Sequence, residues 1–226
     1  MWSITSVTKL SDGESAAEKR SEWKRLAHVM ISLIPSGDSA DYYVNKVDAL
    51  YKGSKRKLYN ILARYDISNA QELKKCIDWN ISVGKRNEFS RFDRELSLLM
   101  EADRIRRIES EENPEEQYRL NVANDYLRRM PHGGIGAYDY SFTAFYCLIG
   151  RQLGWLTKDE TWSYIEKLVL LAKQNYSDWH EYCIGFVVGL EYCSQNTNFN
   201  YVKEGKNRIM RLLNFQDSPM VQIKLN

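Results

Sequence analysis

Apolar side chains recur every three or four residues along most of this 226-residue chain, which is the spacing of one face of an α-helix. The first such run contains Trp23, Leu26, Met30 and Leu33, and it ends at Pro35. No run shows the strict alternation of apolar and polar side chains that is typical of a β-strand. The pattern therefore predicts an all-α fold built from many helices.

Two helix starts carry strong local signals. Asn113 can cap a helix whose first residue is Pro114, since proline suits the first turn and asparagine accepts hydrogen bonds from free amides. Thr157 and Glu160 have the spacing of a capping box, in which each side chain binds the other residue's backbone N–H. Both positions are predicted to begin a helix.

Three further boundaries follow from weaker signals. Ser68 and Gln71 have capping-box spacing before another apolar face, and Gly53 with Ser54 predicts a break. From Phe89 the apolar spacing leads into a highly charged stretch over residues 101–112, which predicts one continuous helix.

Composition and charge exclude several classes of protein. Hydrophobic residues make up 43% of the chain and charged residues 27%, which is typical of a globular protein and not of a disordered, collagenous or membrane-spanning one. Because 32 basic residues face 30 acidic ones, the totals give no case for nucleic acid. The compact basic run at 52–57 is interpreted as a solvated face.

Aromatic residues concentrate towards the C-terminus. Residues 131–226 hold 16 of the 28 Tyr, Trp and Phe side chains, but no Pro/Gly/Ser-rich linker separates them from the rest. We therefore predict one globular helical domain over 1–226 with an aromatic-rich C-terminal core. Within it, residues 131–195 carry the motifs described below, and 1–130 form a more variable helical part.

The cysteines and the N-terminus favour a reducing compartment. The four cysteines form no C-x-x-C pair and lie in apolar helical patterns, as reduced buried thiols do. The N-terminal residues lack the basic and apolar regions of a secretory signal, and no window is apolar enough to span a membrane. These features predict a cytoplasmic protein without membrane contact.

No metal or cofactor is expected from the motifs. The three histidines have no second His or Cys at ligand spacing. The glycine-rich loop at 131–136 precedes a helix and could offer amides to an anion, but it lacks the Lys-Ser/Thr of a P-loop. We interpret it as a helix–helix connection.

Should the protein be an enzyme, Asp139 and Glu181 are the catalytic candidates among the five carboxylates considered for acid–base chemistry, which are Asp139, Glu160, Glu166, Glu181 and Glu191. No nucleophile motif is present. Asp139 and Glu160 lie at helix starts, where a carboxylate satisfies free amides and needs no other role. Glu181 lies beside Trp179, where burial would raise its pKa into a range suited to proton transfer.

Glycines and tryptophans in the last third have a packing interpretation. Gly185 and Gly189 are four apart, so they share a helix face that a neighbouring backbone can approach closely. Trp155, Trp162 and Trp179 are interpreted as large core side chains rather than as a ligand site.

The region 133–192 resembles the bacterial family known as domain of unknown function 1266. The matching segments are Gly134-Ile135, Ala137-Tyr138-Asp139, Gly154-Trp155-Leu156-Thr157, Glu160-Thr161-Trp162, Ser177-Asp178-Trp179-His180-Glu181-Tyr182 and Gly189. In this chain Tyr138 stands where the family has Trp, and Phe142 where it has Arg, so an Asp139–Arg ion pair is not expected there. The resemblance implies a bacterial origin and a shared fold, and it implies no settled activity.

Two functions remain open. The first is a cytoplasmic protein-interaction module, most plausibly an immunity protein that neutralises a cognate toxin by direct binding. Its candidate contact residues are Glu109, Glu111, Glu112, Tyr138 and Asp139. The alternative is an enzyme or toxin effector domain with a site near Asp139 and Glu181. No cofactor is expected for either function.

Overall fold

The computed structural model describes residues 16–35, 46–194, 207, 209–210, 212–214, 216 and 218–226. Within these residues the chain forms helices and no strands, which confirms the all-α prediction. The helices are α1 Ala16–Ile31, α2 Asp48–Tyr51, α3 Lys55–Ala63, α4 Ala70–Ser82, α5 Gly84–Ser97, α6 Glu101–Glu109, α7 Pro114–Asp125, α8 Gly136–Leu153, α9 Lys158–Asn175, α10 Trp179–Cys193 and α11 Pro219–Gln222. Across the described ranges, none of the helices has the length and apolar character to cross a membrane.

Helix α8 lies at the centre of the fold. Its sequence is apolar or aromatic around the whole circumference, and such a helix is stable only when it is surrounded. Fourteen of its residues are buried, and it packs against α1, α2, α3, α4, α5, α9 and α10. Every other element is therefore positioned relative to this one helix or to a neighbour of it.

The larger of two hydrophobic clusters surrounds α8. It contains aromatic side chains of α8 and α10, and the ring of Phe142 contacts those of Tyr138, Tyr146 and Phe186. Trp179 is 4% exposed in this cluster, whereas Trp155 and Trp162 are half-buried at its margin. The predicted aromatic-rich C-terminal core is confirmed.

A second, smaller cluster joins α5, α6, α7 and α10. Its buried side chains include Phe89 and Phe92 of α5, Leu120 of α7 and Tyr192 of α10. Helices α5 and α10 each also pack on α8. The two clusters therefore share helix α10, and no linker separates them.

The predicted helix starts differ in accuracy. Asn113 accepts hydrogen bonds from the amides of Glu115 and Glu116, and Thr157 and Glu160 form the complete capping box. At α4 the predicted cap is wrong by one residue. Asn69 caps the helix, because its side chain accepts from the amides of residues 71 and 72, while Ser68 donates to Glu72.

The prediction of one helix from Phe89 into the charged stretch is wrong. Helix α5 ends at Ser97, and α6 begins at Glu101. The guanidinium of Arg104 donates to the carbonyl oxygen of Leu99 at 3.0 Å and to the side chain of Asn124 at 3.0 Å. The first bond satisfies a carbonyl oxygen just after the end of α5, and the second holds α6 against α7. A consequence is that Leu98 is 86% exposed.

Candidate functional site

Asp139 lies in the first turn of α8 and is almost fully buried. Its carboxylate accepts hydrogen bonds from the backbone amide of Lys85 at 3.0 Å and from that of Arg86 at 3.1 Å. The Arg86 guanidinium lies 3.1 Å from the same carboxylate. Asp139 therefore binds the free amides in the first turn of α5, and not those of its own helix, as its position at a helix start had suggested.

Gly84 makes room for this carboxylate. Its φ of +65° lies in the left-handed region that L side chains rarely adopt, and a Cβ there would overlap the Asp139 carboxylate. The Arg86 guanidinium also donates to the carbonyl oxygens of Asn80 and, at 2.6 Å, of Ile81. One buried ion pair thus joins the end of α4, the start of α5 and the start of α8.

The sequence predicts no Asp–Arg ion pair from position 142, because this chain has Phe142 there. An arginine does reach Asp139, but it comes from α5, 53 residues earlier in the chain. Phe142 instead packs among the aromatic rings of the larger cluster. The ion pair is therefore present with a different donor.

Burial raises the pKa of Asp139 above its ordinary value, whereas the amide and guanidinium hydrogen bonds from Arg86 and Lys85 act in the opposite direction. A raised pKa is one property of a catalytic carboxyl, but the group must also reach a substrate. None of the three clefts identified in the described part of the chain is lined by Asp139 or Glu181.

Glu181 and Glu160 both belong to helix caps. Glu181 accepts from the amide of Ser177 at 2.7 Å, and its own amide donates to Asp178 at 2.9 Å, which is a reciprocal cap at the start of α10. Glu160 accepts from the amide of Thr157 at 2.8 Å and from Lys74 at 2.6 Å. The Lys74 and Thr157 hydrogen bonds lower the pKa of Glu160 to about 2.

The glycine-rich loop is occupied by a side chain of the protein itself. The hydroxyl of Tyr176 accepts from the amide of Ala137 at 2.8 Å and lies 3.1 Å from the carbonyl oxygens of both Gly133 and Gly134. The amides of Gly133, Gly134 and Gly136 donate to backbone carbonyls. These amides are therefore not available to an anion.

The two glycines of α10 permit close packing against this loop. A Cβ at Gly185 would lie 2.5 Å from the carbonyl oxygen of Gly134, and one at Gly189 would overlap Tyr138 of α8. Tyr138 is half-buried in that contact. Tyr138 and Asp139 are thus packed into the core, and do not form an open surface with the acidic residues of α6.

Of the three glutamates proposed as contact residues, two are free. Glu109 and Glu112 are exposed, and no described residue forms a hydrogen bond or ion pair with either carboxylate. Glu111 pairs with Arg107 at 3.0 Å and accepts from the amide of Asn113 at 3.2 Å, so it stabilises the α6–α7 turn.

Sequence patterns did not reveal the most exposed apolar group. Leu98 is 86% exposed, Met100 77% and Ile105 47%. Glu101, Ile105 and Glu109 lie four residues apart along α6 and so share one face of it, while Leu98 and Met100 lie just before its first turn. We call these five residues the α6 edge. The only signal in the sequence is that these apolar residues stand next to or within the highly charged stretch 101–112.

Within the described residues, no three His, Cys, Asp or Glu side chains are grouped so that they could hold a metal ion.

No curated protein and no solved structure is significantly similar to the chain. A family described as Protein of unknown function (DUF1266) matches residues 60–225, and so includes α4–α7 as well as the motif region. Because this match covers well over half of its length, the chain belongs to the DUF1266 family.

Proposed function

We propose that this protein is a protein-interaction module and that its partner docks on the α6 edge. The observation that carries the proposal is the near-complete exposure of Leu98 and Met100 at a helix break. The chain has no Gly or Pro at this break that would force the helix to end there. A continuous helix through these positions would therefore have been compatible with the local sequence. Two large apolar side chains held in water favour burial against another molecule.

The α6 edge has the layout of a binding surface. Leu98, Met100 and Ile105 would form the apolar centre, and the exposed carboxylates of Glu101 and Glu109 would form its rim. Neither glutamate has an ion-pair partner among the residues that the structure describes. The complementary partner surface would therefore carry an apolar pocket with basic residues around it.

Helix α6 is held in place before any partner binds. Arg107 lies 2.7 Å from Glu95 of α5 and 3.0 Å from Glu111, and Arg104 contacts Asn124 of α7. Binding would then order few backbone groups, which lowers the entropic cost of association. This rigidity supports a fixed docking surface rather than a segment that folds on binding.

The more specific proposal is a cytoplasmic immunity protein. The acidic and apolar α6 edge would cover a basic surface of a cognate toxin. A toxin that acts on an anionic substrate would need such a basic surface, so covering it would block the toxin. Support for the alternative, an enzyme or effector domain, is weaker. Asp139 makes three hydrogen bonds in the core, and Glu181 caps α10.

Co-expression with the product of the adjacent gene tests the proposal. We expect the two proteins to purify as a complex and growth to be protected. Replacing Leu98→Ser and Met100→Ser together should weaken the complex by about a hundredfold or more, because buried apolar anchors carry most of the affinity of an interface. The matched control is Leu170→Ser, which changes a leucine that is 47% exposed on α9.

A second pair of variants tests the charge of the rim. Replacing Glu101→Lys and Glu109→Lys should slow association and remove its acceleration at low salt, whereas Glu166→Lys on α9 should have a smaller effect. A complex that survives both sets of substitutions unchanged would exclude the α6 edge. Absence of any complex and of protection would exclude the immunity function itself.

A further inference from the structure

A cleft of about 760 Å³ lies between α1, α2 and α11, away from the α6 edge. Its volume is in the range of small-molecule sites, which is about 300–1,000 Å³. The lining residues come from three separate parts of the chain and are Arg25, His28, Val29, Lys46, Val47, Asp48, Ala49, Lys52, Pro219, Gln222 and Ile223.

Positive charge dominates this cleft. Arg25, Lys46 and Lys52 line it, and Asp48 is the single acidic residue among the described lining. The Asp48 carboxylate accepts from the Tyr51 hydroxyl and lies 2.6 Å from the Lys52 ammonium, which keeps two of its three N–H donors for another group. Arg25 is exposed and has no ion-pair partner among the described residues, so its guanidinium is available.

His28 adds a neutral hydrogen-bonding group to the cleft. Its Nε2 lies 2.8 Å from the Tyr51 hydroxyl oxygen. Because the Tyr51 proton is donated to Asp48, Nε2 must donate to Tyr51, and Nδ1 keeps its lone pair. Burial lowers the pKa of His28, partly opposed by Asp48, which favours the neutral imidazole.

The inner wall of the cleft is apolar. Val29 and Val47 are buried beneath it, and Ile223 from the C-terminal segment is half-buried. A ligand that fits must therefore combine a charged group for the rim with an apolar body for this wall. Arginine and lysine together favour a phosphate, since guanidinium binds two phosphate oxygens at once and a dianion matches more than one cation.

We propose that this cleft binds a small phosphate monoester with an apolar substituent. Arg25 and Lys52 contact the phosphate, and the substituent packs against Val47 and Ile223. The site is independent of the α6 edge, because it shares no residue with it.

Calorimetric titration with simple probes tests this assignment at constant ionic strength. Phenyl phosphate carries both features, inorganic phosphate only the charge, phenol only the ring, and benzoate a single negative charge on a ring. We expect phenyl phosphate to bind at least about tenfold more tightly than each of the other three. Equal binding of phenyl phosphate and inorganic phosphate would contradict a role for the apolar wall.

Substitution of the rim locates the binding. Replacing Arg25→Gln and Lys52→Gln together should weaken phenyl phosphate by about tenfold or more, as is typical when charge-assisted hydrogen bonds are removed. The control is Arg56→Gln, an exposed arginine of α3 outside the cleft. The imidazole resonance of His28, assigned with His28→Gln, should shift on titration of the wild-type protein.

Three results would overturn the proposal. These are the absence of saturable phenyl phosphate binding, equal loss of affinity in the Arg56→Gln control, and binding that leaves the His28 resonance unchanged. Thermal unfolding of each variant without ligand separates loss of the site from loss of the fold.

Discussion

Asp139 is the only carboxylate that is almost fully buried in the described part of the chain, and its environment explains how it is tolerated. Burying an ion costs several kcal/mol unless hydrogen bonds and an opposite charge compensate it. Two amides of α5 and the Arg86 guanidinium supply that compensation. The ion pair therefore fixes the geometry of three helix ends more than it adds net stability.

Removal of the carboxylate should be strongly destabilising. Asp139→Ala leaves the Arg86 charge and two amides without their acceptor, so we expect the free energy of unfolding in urea to fall by about 3–5 kcal/mol. Asp159→Ala is the control, since this exposed aspartate pairs only with Arg20 at 3.7 Å and should change stability by less than about 0.5 kcal/mol. Similar losses in both variants would contradict the structural role of Asp139.

Gly84 allows a second test at the same point. Gly84→Ala introduces both an unfavourable positive φ and an overlap with Asp139, and we expect a loss of about 3 kcal/mol or more in urea denaturation. Gly154→Ala separates the two effects. Gly154 has a φ of +78° and nothing within 4 Å, so only the backbone cost of about 1–2 kcal/mol should appear. Equal losses would show that the overlap is relieved without cost.

Sequence reasoning identified Asp139 but not its partners. A carboxylate at a helix start has a local explanation in the free amides of its own helix, so the sequence gives no reason to expect a distant partner. Arg86 lies 53 residues away and is one of many arginines, so its proximity depends on how α5 packs against α8. The close packing at Gly185 and Gly189 was easier to predict, because two small residues on one helix face indicate a close neighbour, whichever part of the chain supplies it.

At the scale of single helices, the caps make a pH prediction possible. The folded pKa of Glu160 is about 2, below its unfolded value near 4.5, so its contribution is fully present above pH 4.5. That contribution should be lost as the pH falls towards 2. Glu160→Gln should therefore be less stable than wild type at pH 7, and the difference should shrink on acidification.

Urea midpoints at pH 7, 4.5 and 3 measure this effect. Glu166→Gln on the same helix is the control, because Glu166 makes no ion pair with a described residue and its difference from wild type should not follow this pH course. A Glu160→Gln difference that stays constant from pH 7 to 3 would contradict the assigned cap.

Helix boundaries were predictable where a single residue defines them. Asn113 and Thr157 accept from amides within their own first turn, and Pro114 has the fixed φ that suits the first helical position, so the sequence contains the whole interaction. The break between α5 and α6 has no such origin. It depends on Arg104 reaching Asn124 and on Ile108 joining the second cluster, and both are contacts with α7 or beyond.

Over the whole molecule, the shared helix α10 predicts cooperative unfolding. Phe92 is 1% exposed in the second cluster, while Trp23, Trp155, Trp162 and Trp179 lie in or against the first. Because α10 contributes to both clusters and α5 of the second cluster packs on α8 of the first, loss of one cluster should destabilise the other. This expectation tests the prediction of a single domain.

Phe92→Ala should lower the free energy of unfolding by about 3–5 kcal/mol, as is usual for a buried aromatic ring. The tryptophan fluorescence transition should shift together with the far-ultraviolet circular dichroism transition. A fluorescence transition that stays at the wild-type urea concentration would show two independent units. Leu168→Ala in the first cluster provides the reciprocal measurement.

The Tyr176 hydroxyl in the glycine-rich loop has a consequence for how such loops are recognised. It accepts from the first-turn amide of Ala137, as a ligand oxygen would at a helix N-terminus, and it also contacts two carbonyl oxygens, so the chain carries a built-in substitute for a group that both accepts and donates. Removing that substitute with Tyr176→Phe would leave the amide of Ala137 and the carbonyl oxygens of Gly133 and Gly134 without their hydrogen-bond partner. Because these groups are one donor and two acceptors, a water molecule fits them better than an anion does. Glycine spacing alone therefore says that a backbone is approached closely, and the approaching group can be the protein's own.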